Sequence, residues 1–317
     1  MKTIQIMTII SLLLWNLLAE KIHAWEFPLE IDPIAINFDH GGENDALNIR
    51  KNYSTDITPP EYVASPAKNE KFAYLKGATP TVKPKFYTTS PDTSISLTID
   101  AINTVGATNW DLSDTAVNFN SDGYSIGTDG YVLFSTGDGT SVLNYVDNSD
   151  VYWAWRVVAV GGEPRTPYVM GNTSHEFYTL LNTPQSPIGE PWTEVLDKAC
   201  PWASGATTNL EVVDKITLHS YTTNFKNYNW DYSHTGSEST GSVHLELTDL
   251  LSGAYCDCKD MAAVVQVFSN AVGATNISMK RIGGTFYTNF IDPIGTTNPD
   301  GWINNVQWAY HQVGWHS

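Results

Sequence analysis

The sequence predicts an α+β protein in which an antiparallel β-sandwich precedes a part that mixes helices with strands. Short apolar runs separated by Asp-Gly turn signals fill the first half, whereas helical spacing of apolar residues begins only after residue 190. Only 16% of the residues are charged, a composition typical of extracellular β-rich proteins. Because 317 residues exceed one ordinary domain, we expect two hydrophobic cores.

The N-terminus has the pattern of a secretory signal peptide over residues 1–24. Lys2 precedes an apolar run from Ile4 to Leu18, and cleavage is expected after Ala24. The alternative is a retained N-terminal anchor, although the run is short against the roughly 20 residues that span a bilayer. No second apolar stretch approaches that length. We therefore expect a secreted or cell-surface protein with no integral membrane span after signal cleavage.

Residues 25–90 show no sustained periodicity and are rich in Pro, Asn and Lys. This composition is typical of an extended connecting segment. We predict a leader or linker here, with at most a short docked strand.

Residues 91–185 alternate apolar and polar side chains in the manner of half-buried strands. Asp-Gly pairs at 122–123, 129–130 and 138–139 are hairpin turn signals. Short strands at this spacing favour an antiparallel, immunoglobulin-like β-sandwich. The residues expected on buried faces are Ile95, Leu97, Ile99 and Ala101 in one strand, and Trp153, Trp155, Val157 and Ala159 in another.

Beyond the prolines at 184–191 the pattern becomes helical. Residues 193–204 predict a helix with Thr193 as its N-cap and Gly205 just past its end. Residues 209–221 continue with helical spacing, and residues 242–253 fit either a short helix or a strand.

The stretch "YCDCKDMAAVVQVFSNAVGA", residues 255–274, predicts a buried helix that begins at a cysteine. Asp257 is a suitable N-cap with Asp260 three positions on, as in a capping box, and Gly273 is a suitable C-terminal stop. Helical spacing relates the apolar residues Met261, Val264, Val265, Phe268 and Val272. Cys258 thus lies in the first turn, where backbone N–H groups and the helix dipole stabilise a thiolate.

The chain has three cysteines, so an oxidising compartment would leave one of them as a thiol. Cys256 lies too close to Cys258 for an unstrained bond at a helix start, which makes Cys200 its better partner. We therefore expect a Cys200–Cys256 disulfide and a reactive Cys258. Two alternatives remain: an inert buried thiol at Cys258, or a metal site, for which no second Cys pair or His pair is present.

The segment "CKDMAAVVQVFSNAVGATNISMKRIGG", residues 258–284, resembles the transglutaminase-like superfamily of cysteine enzymes. Cys258, Asp260, Ala262 and Gly273 match the family's order, and His311 in "NNVQWAYHQVGW" corresponds to its strand-borne histidine. The resemblance covers residues 190–317 and implies a papain-like fold with Cys258 and His311 as catalytic residues. The sandwich is similar to the N-terminal part of some exported bacterial members.

The resemblance implies a secreted cysteine hydrolase or acyltransferase that acts on a protein or peptide substrate without a metal or cofactor. A formal charge of −17 argues against nucleic acid as a partner, because it repels phosphate backbones. No Asp or Glu follows His311, so the family's third catalytic residue is missing and we expect a C-terminally incomplete fragment. The alternative is a non-catalytic extracellular binding protein with a degenerate transglutaminase-like domain. Trp230 and the histidines at 175, 219, 234 and 244 match no motif.

Overall fold

The structure, a computed structural model, describes residues 30–42, 44–105, 110–137, 141–186, 189–223, 225–228, 233, 245–287 and 307–316. At residues 228, 281, 282, 284–287 and 307–316 the description is of the backbone. The expected signal peptide, residues 1–24, and the Asp-Gly pair at 138–139 lie outside the described residues.

Twelve strands form the first part of the described chain. They are β1 (Ile31–Asn37), β2 (Arg50–Asn52), β3 (Thr55–Asp56), β4 (Tyr62–Val63), β5 (Lys68–Asn69), β6 (Phe72–Leu75), β7 (Thr81–Thr88), β8 (Leu97–Asn103), β9 (Leu112–Val117), β10 (Phe134–Ser135), β11 (Asp147–Val160) and β12 (Glu163–Leu180). Ten of them make two five-stranded sheets, in the orders β10-β7-β1-β4-β5 and β6-β12-β11-β8-β9. Neighbours are antiparallel except β6 and β12, which run parallel.

The prediction of a leader or linker at 25–90 is wrong for the part that the structure describes. Within it, β1, β4, β5 and β7 supply four of the five strands of the first sheet, and β6 supplies an edge of the second. β1 is held by β7 along six residue pairs, from Ile31 opposite Thr88 to Asn37 opposite Lys83. The prediction failed because strands of two to four residues carry no measurable periodicity, although β7 itself alternates buried and partly exposed residues throughout.

The two large sheets share one apolar core. Trp153, Trp155 and Phe177 from one sheet and Phe86 and Phe134 from the other are fully buried in it. Two of the indole N–H groups in this core have partners: Trp153 Nε1 donates to Trp110 O (2.8 Å) and Trp155 Nε1 donates to Thr173 Oγ1 (3.0 Å). Buried polar groups with partners keep such a core specific.

Of the sandwich residues expected on buried faces, Ala159 is an exception. Its strand carries an irregularity between Val157 and Ala159, so that Val160 is buried in place of Ala159. A β-bulge adds one residue to a strand and shifts the alternation of faces beyond it.

Among the residues described after the sandwich there are four helices and four strands. They are α1 (Thr193–Trp202), α2 (Asn209–Thr222), β13 (Asn227–Tyr228), α3 (Leu247–Ser252), β14 (Tyr255–Cys256), α4 (Cys258–Ala271), β15 (Ile277–Tyr287) and β16 (Gln307–His316). α1 begins where expected, but its N-cap is Trp192, because the Thr193 hydroxyl donates to Lys51 O (2.9 Å) of β2 instead of capping the helix. α2 begins with a capping box between Thr208 and Glu211.

A second apolar core joins the helices to one edge of the sandwich. Leu196 of α1, Ile216 of α2 and Phe268 of α4 are buried in it together with Tyr178 and Leu180 of β12. The overall architecture is therefore α+β, with mostly antiparallel sheets and helices packed at the ends of β6 and β12.

Candidate active site

The helix α4 is built as the sequence predicts. Asp257 is its N-cap, and the Oδ1 atom of Asp257 accepts hydrogen bonds from the backbone N–H groups of Lys259 (2.8 Å) and Asp260 (3.0 Å). Asp260 Oδ2 in turn accepts from the backbone N–H of Asp257 (3.1 Å), which completes the capping box. Cys258 is consequently the first helical residue, as expected.

The expected apolar stripe of α4 faces the second core. Val264, Phe268 and Val272 are fully buried, Val265 is buried, and Met261 packs against the same core from a partly buried position. The helix ends before Gly273, whose φ of +85° is the left-handed conformation of a C-terminal stop. Packing thus fixes the axis of α4 and, with the cap, the place of Cys258.

The expected disulfide between Cys200 and Cys256 is not formed, and this prediction is wrong: all three cysteines are thiols. Cys200 on α1 and Cys256 on β14 are both buried in the second core. There they pack as small apolar residues, a common role of unoxidised cysteine. Counting cysteines indicates how many can pair but supplies none of the geometry that a bond requires.

Burial and charge separate the three thiols chemically. Burial raises the pKa of the Cys256 thiol to about 12, with the carboxylates of Asp260 and Asp257 adding to the shift. Burial raises the pKa of the Cys200 thiol well above its ordinary value. Both remain protonated near neutral pH and are poor nucleophiles. Cys258 is the one cysteine that is not buried.

The strand that carries His311 packs beside α4. β15 and β16 form an antiparallel hairpin in which His311 lies opposite Ile282, and both strands contact α4. The side chain of His311 lies outside the described atoms.

The structure describes two of the five other residues that the sequence singled out. Trp230, His234 and His244 lie outside the described residues. His219 lies on α2 near its C-terminal end, and His175 is buried in the sandwich core. Within the described ranges, no group of three or more His, Cys, Asp or Glu side chains is arranged to hold a metal ion.

Sequence reasoning missed a cluster of aromatic and basic side chains around the Phe225 ring. The Phe225 ring packs edge-on against Phe268 of α4 and Trp202 of α1, with centroid distances of 5.9 and 5.2 Å. The ammonium groups of Lys226 and Lys198 lie 4.9 and 5.8 Å from the centre of the Phe225 ring. Phe225 and Lys226 lie between predicted elements, in a stretch with no helical or strand periodicity that could have indicated them.

In the part of the chain that is described, none of the helices has both the length and the apolar character needed to cross a bilayer. No protein-family model matches the chain, and no curated protein sequence is significantly similar to it.

Proposed function

We propose that this protein is a secreted cysteine hydrolase or acyltransferase of transglutaminase-like type, with Cys258 as its nucleophile. The observation that carries the proposal is the contrast among the thiols: Cys258 is partly exposed at the first residue of a capped helix, while Cys200 and Cys256 are buried and protonated. A helix start favours the thiolate form, which is the reactive form of cysteine.

In the proposed reaction, Cys258 Sγ attacks the carbonyl carbon of an amide and the C–N bond breaks. The leaving amine takes a proton from His311, and the acyl group remains on sulfur as a thioester. Water or a second amine then attacks the thioester, which yields a carboxylic acid or a new amide and restores the thiol. We propose the backbone N–H of Cys258 as an oxyanion donor, since it belongs to the same helix start.

The strand that carries His311 supports its role as the acid–base partner. β16 pairs with β15 in an antiparallel hairpin, and both strands contact α4, the helix that begins at Cys258. A cysteine-bearing helix packed beside an antiparallel hairpin with a histidine is also the arrangement expected of a papain-like domain. An immunoglobulin-like class for the preceding sandwich belongs to the same proposal.

The proposed substrates are amides of extracellular proteins or peptides, either peptide bonds or glutamine side chains. Hydrolysis is favoured over cross-linking, because no described feature specifies an amine acceptor. No metal or cofactor enters the proposed mechanism, since each bond change is carried by the thiol, the imidazole and water.

Alkylation of the folded protein by iodoacetamide at pH 7, read out by peptide mass spectrometry, tests the proposal. We expect rapid labelling of Cys258, whereas Cys200 and Cys256 become labelled only after denaturation and serve as internal controls. Cys258→Ser should abolish release of ammonia or hydroxamate when a glutamine-containing peptide and hydroxylamine are supplied.

One labelling result would contradict the proposal. If Cys258 is labelled no faster than Cys200 in the folded protein, the sulfur is an inert thiol and the catalytic proposal is wrong. The protein would then be better described as a non-catalytic extracellular binding protein, and Cys258→Ser would leave its binding unchanged.

A further inference from the structure

Lys226 holds together the chain segments that lead into Cys258. Its Nζ atom donates hydrogen bonds to Leu251 O (3.0 Å) and to Gly253 O, at the C-terminal end of α3. Carbonyl groups at a helix end lack partners within the helix, and a cation there is favoured by the helix dipole. One ammonium group thus fixes the exit of α3, from which the chain continues into β14 and α4.

The residues on either side of Lys226 make further contacts with the segments that lead into Cys258. Phe225 packs against Phe268 in the middle of α4. On the other side, Asn227 and Tyr228 pair in parallel with Tyr255 and Cys256, and the Asn227 backbone N–H donates to Ala254 O (2.9 Å). Residues 225–228 therefore contact α3, β14 and α4 in succession, and Lys226 is their only charged member.

The charge of Lys226 acts on Cys256, the cysteine that precedes the cap of α4. Its ammonium lowers the pKa of Cys256, whereas burial and the carboxylates of Asp260 and Asp257 raise this pKa and prevail. Burial and the neighbouring ammonium of Lys198 lower the pKa of Lys226 itself. At the helix start, Lys259 Nζ lies 3.6 Å from Asp257 Oδ2. The carboxylates of Asp257 and Asp260 are thus opposed by the ammonium groups of Lys226 and Lys259.

We propose that Lys226 is a positioning residue for Cys258, which sets the chain path into α4 and supplies positive charge that favours the Cys258 thiolate. This inference rests on the proposed function of Cys258. Lys226 acts through the α3–β14 connection and through its charge, and it has no part in the covalent steps.

The test compares the pH dependence of Cys258 alkylation in the wild type, Lys226→Gln and Lys226→Arg. Gln keeps N–H donors for the carbonyl groups but removes the charge, whereas Arg keeps both. Lys215→Gln is a matched control, because Lys215 Nζ donates to Ser204 O (2.6 Å) beyond the end of α1, in a similar cap away from the cysteines.

We expect Lys226→Gln to move the midpoint of the alkylation profile upward by roughly half a pH unit or more, with a severalfold lower rate at pH 7. Lys226→Arg and Lys215→Gln should keep the wild-type midpoint. An unchanged midpoint in Lys226→Gln would overturn the inference, while an unreactive Cys258 in the wild type would instead overturn the proposed function. Should Lys226→Gln fail to fold, the coupling is measured on Lys226 instead: the NMR shift of its ε-carbon in the wild type should change with pH at the midpoint of the Cys258 profile, and this step should be absent in Cys258→Ser. A Lys226 signal without that step overturns the inference.

Discussion

His175 is a neutral imidazole enclosed by aromatic side chains. It is 1% exposed, and its ring lies 5.1 Å from that of Phe38, 5.2 Å from that of Tyr62 and 5.4 Å from that of Trp153. Among the described residues, neither ring nitrogen has a hydrogen-bond partner. Burial accordingly lowers the pKa of His175 to about 3. The neutral form is favoured because a buried charge without a partner is expensive.

Replacing His175 with Phe should reduce the loss of stability in acid. Because the folded pKa lies below the unfolded one, the contribution of His175 is fully present above pH 6.5 and is lost as the pH falls toward 3. Between pH 7 and 4.5 the free energy of unfolding that is lost through His175 amounts to roughly 2–3 kcal/mol. Urea unfolding of wild type and His175→Phe at both pH values measures it.

The effects of other titratable groups on stability cancel in this comparison, because these groups titrate in both proteins. Glu61 is one of them, since burial raises its pKa to about 7. Parallel stability profiles for the wild type and His175→Phe would show that water or a relaxed core accommodates the imidazolium, contrary to our expectation.

At the scale of single residues, features that depend on close sequence neighbours can be predicted, whereas pairing between residues that are distant in sequence cannot. The cap of α4 depends on residues three apart, so Asp257 and Asp260 could be identified directly. The pairing of Cys200 depends on a tertiary distance, which its sequence position does not encode. His175 matches no motif, and its burial follows from the sheet register opposite Val151.

Helix α4 ends against the last residues of the sandwich. Gly273 lies so close to Asn182 that a Cβ atom at Gly273 would come within 1.9 Å of the Asn182 carbonyl oxygen. The Asn182 amide in turn donates to Gly273 O (3.2 Å), and Leu181 N donates to Val272 O (2.8 Å). Glycine is therefore needed here for both its conformation and its size.

Gly273→Ala should lower the free energy of unfolding by about 2–4 kcal/mol, from steric overlap and backbone strain together. Gly161→Ala is the matched control, because Gly161 also has a positive φ (+58°) but no atom lies within 4 Å of the place that a Cβ atom would take there. We expect about 1 kcal/mol for that control. Equal losses in urea titrations of the two variants would contradict a steric role for Gly273.

The elements that were predicted best from the sequence are the long helices. α1, α2 and α4 each span ten residues or more, so helical spacing is visible over several turns. The strands before residue 81 are short, except β1, and prolines interrupt the segment. β7 could have been predicted from its alternation, because Val82, Pro84 and Phe86 are buried while Lys83 and Lys85 between them are partly exposed.

Across the whole molecule, a polar cluster reinforces the second core. Lys71 Nζ donates to Glu176 Oε1 of β12 and to Asp197 Oδ1 of α1, both at 2.6 Å. The Tyr178 hydroxyl donates to the same Asp197 oxygen (2.6 Å). A shared lysine with two carboxylates fixes α1 against the sandwich more specifically than apolar contact alone.

A fragment of residues 190–317 should not fold cooperatively by itself. It lacks Ala73, Tyr178, Leu180 and Leu181, which bury the inner faces of the helices in the complete chain. Far-UV circular dichroism and urea unfolding of this fragment, beside residues 25–317, check the expectation. A sharp unfolding transition of the fragment alone would show instead that the helices need no support from the sandwich.

The two-part organisation was predicted from chain length and from the change of periodicity near residue 190. The core that the helices share with the sandwich was not predicted, because its contacts join residues about ninety positions apart, as in Leu181 and Val272, which directly follow β12 and α4. The division into 91–185 and 190–317 describes where the sequence pattern changes, and the second core contains residues from both sides of it.

The close approach of Gly273 to Asn182 also bears on how such a protein can diversify. Recombination that exchanged the sandwich for another module would have to supply a strand end of the same shape. Otherwise the C-terminal end of the cysteine-bearing helix would lose the backbone against which it packs. Lineages that carry this helix should therefore inherit both halves as a single unit.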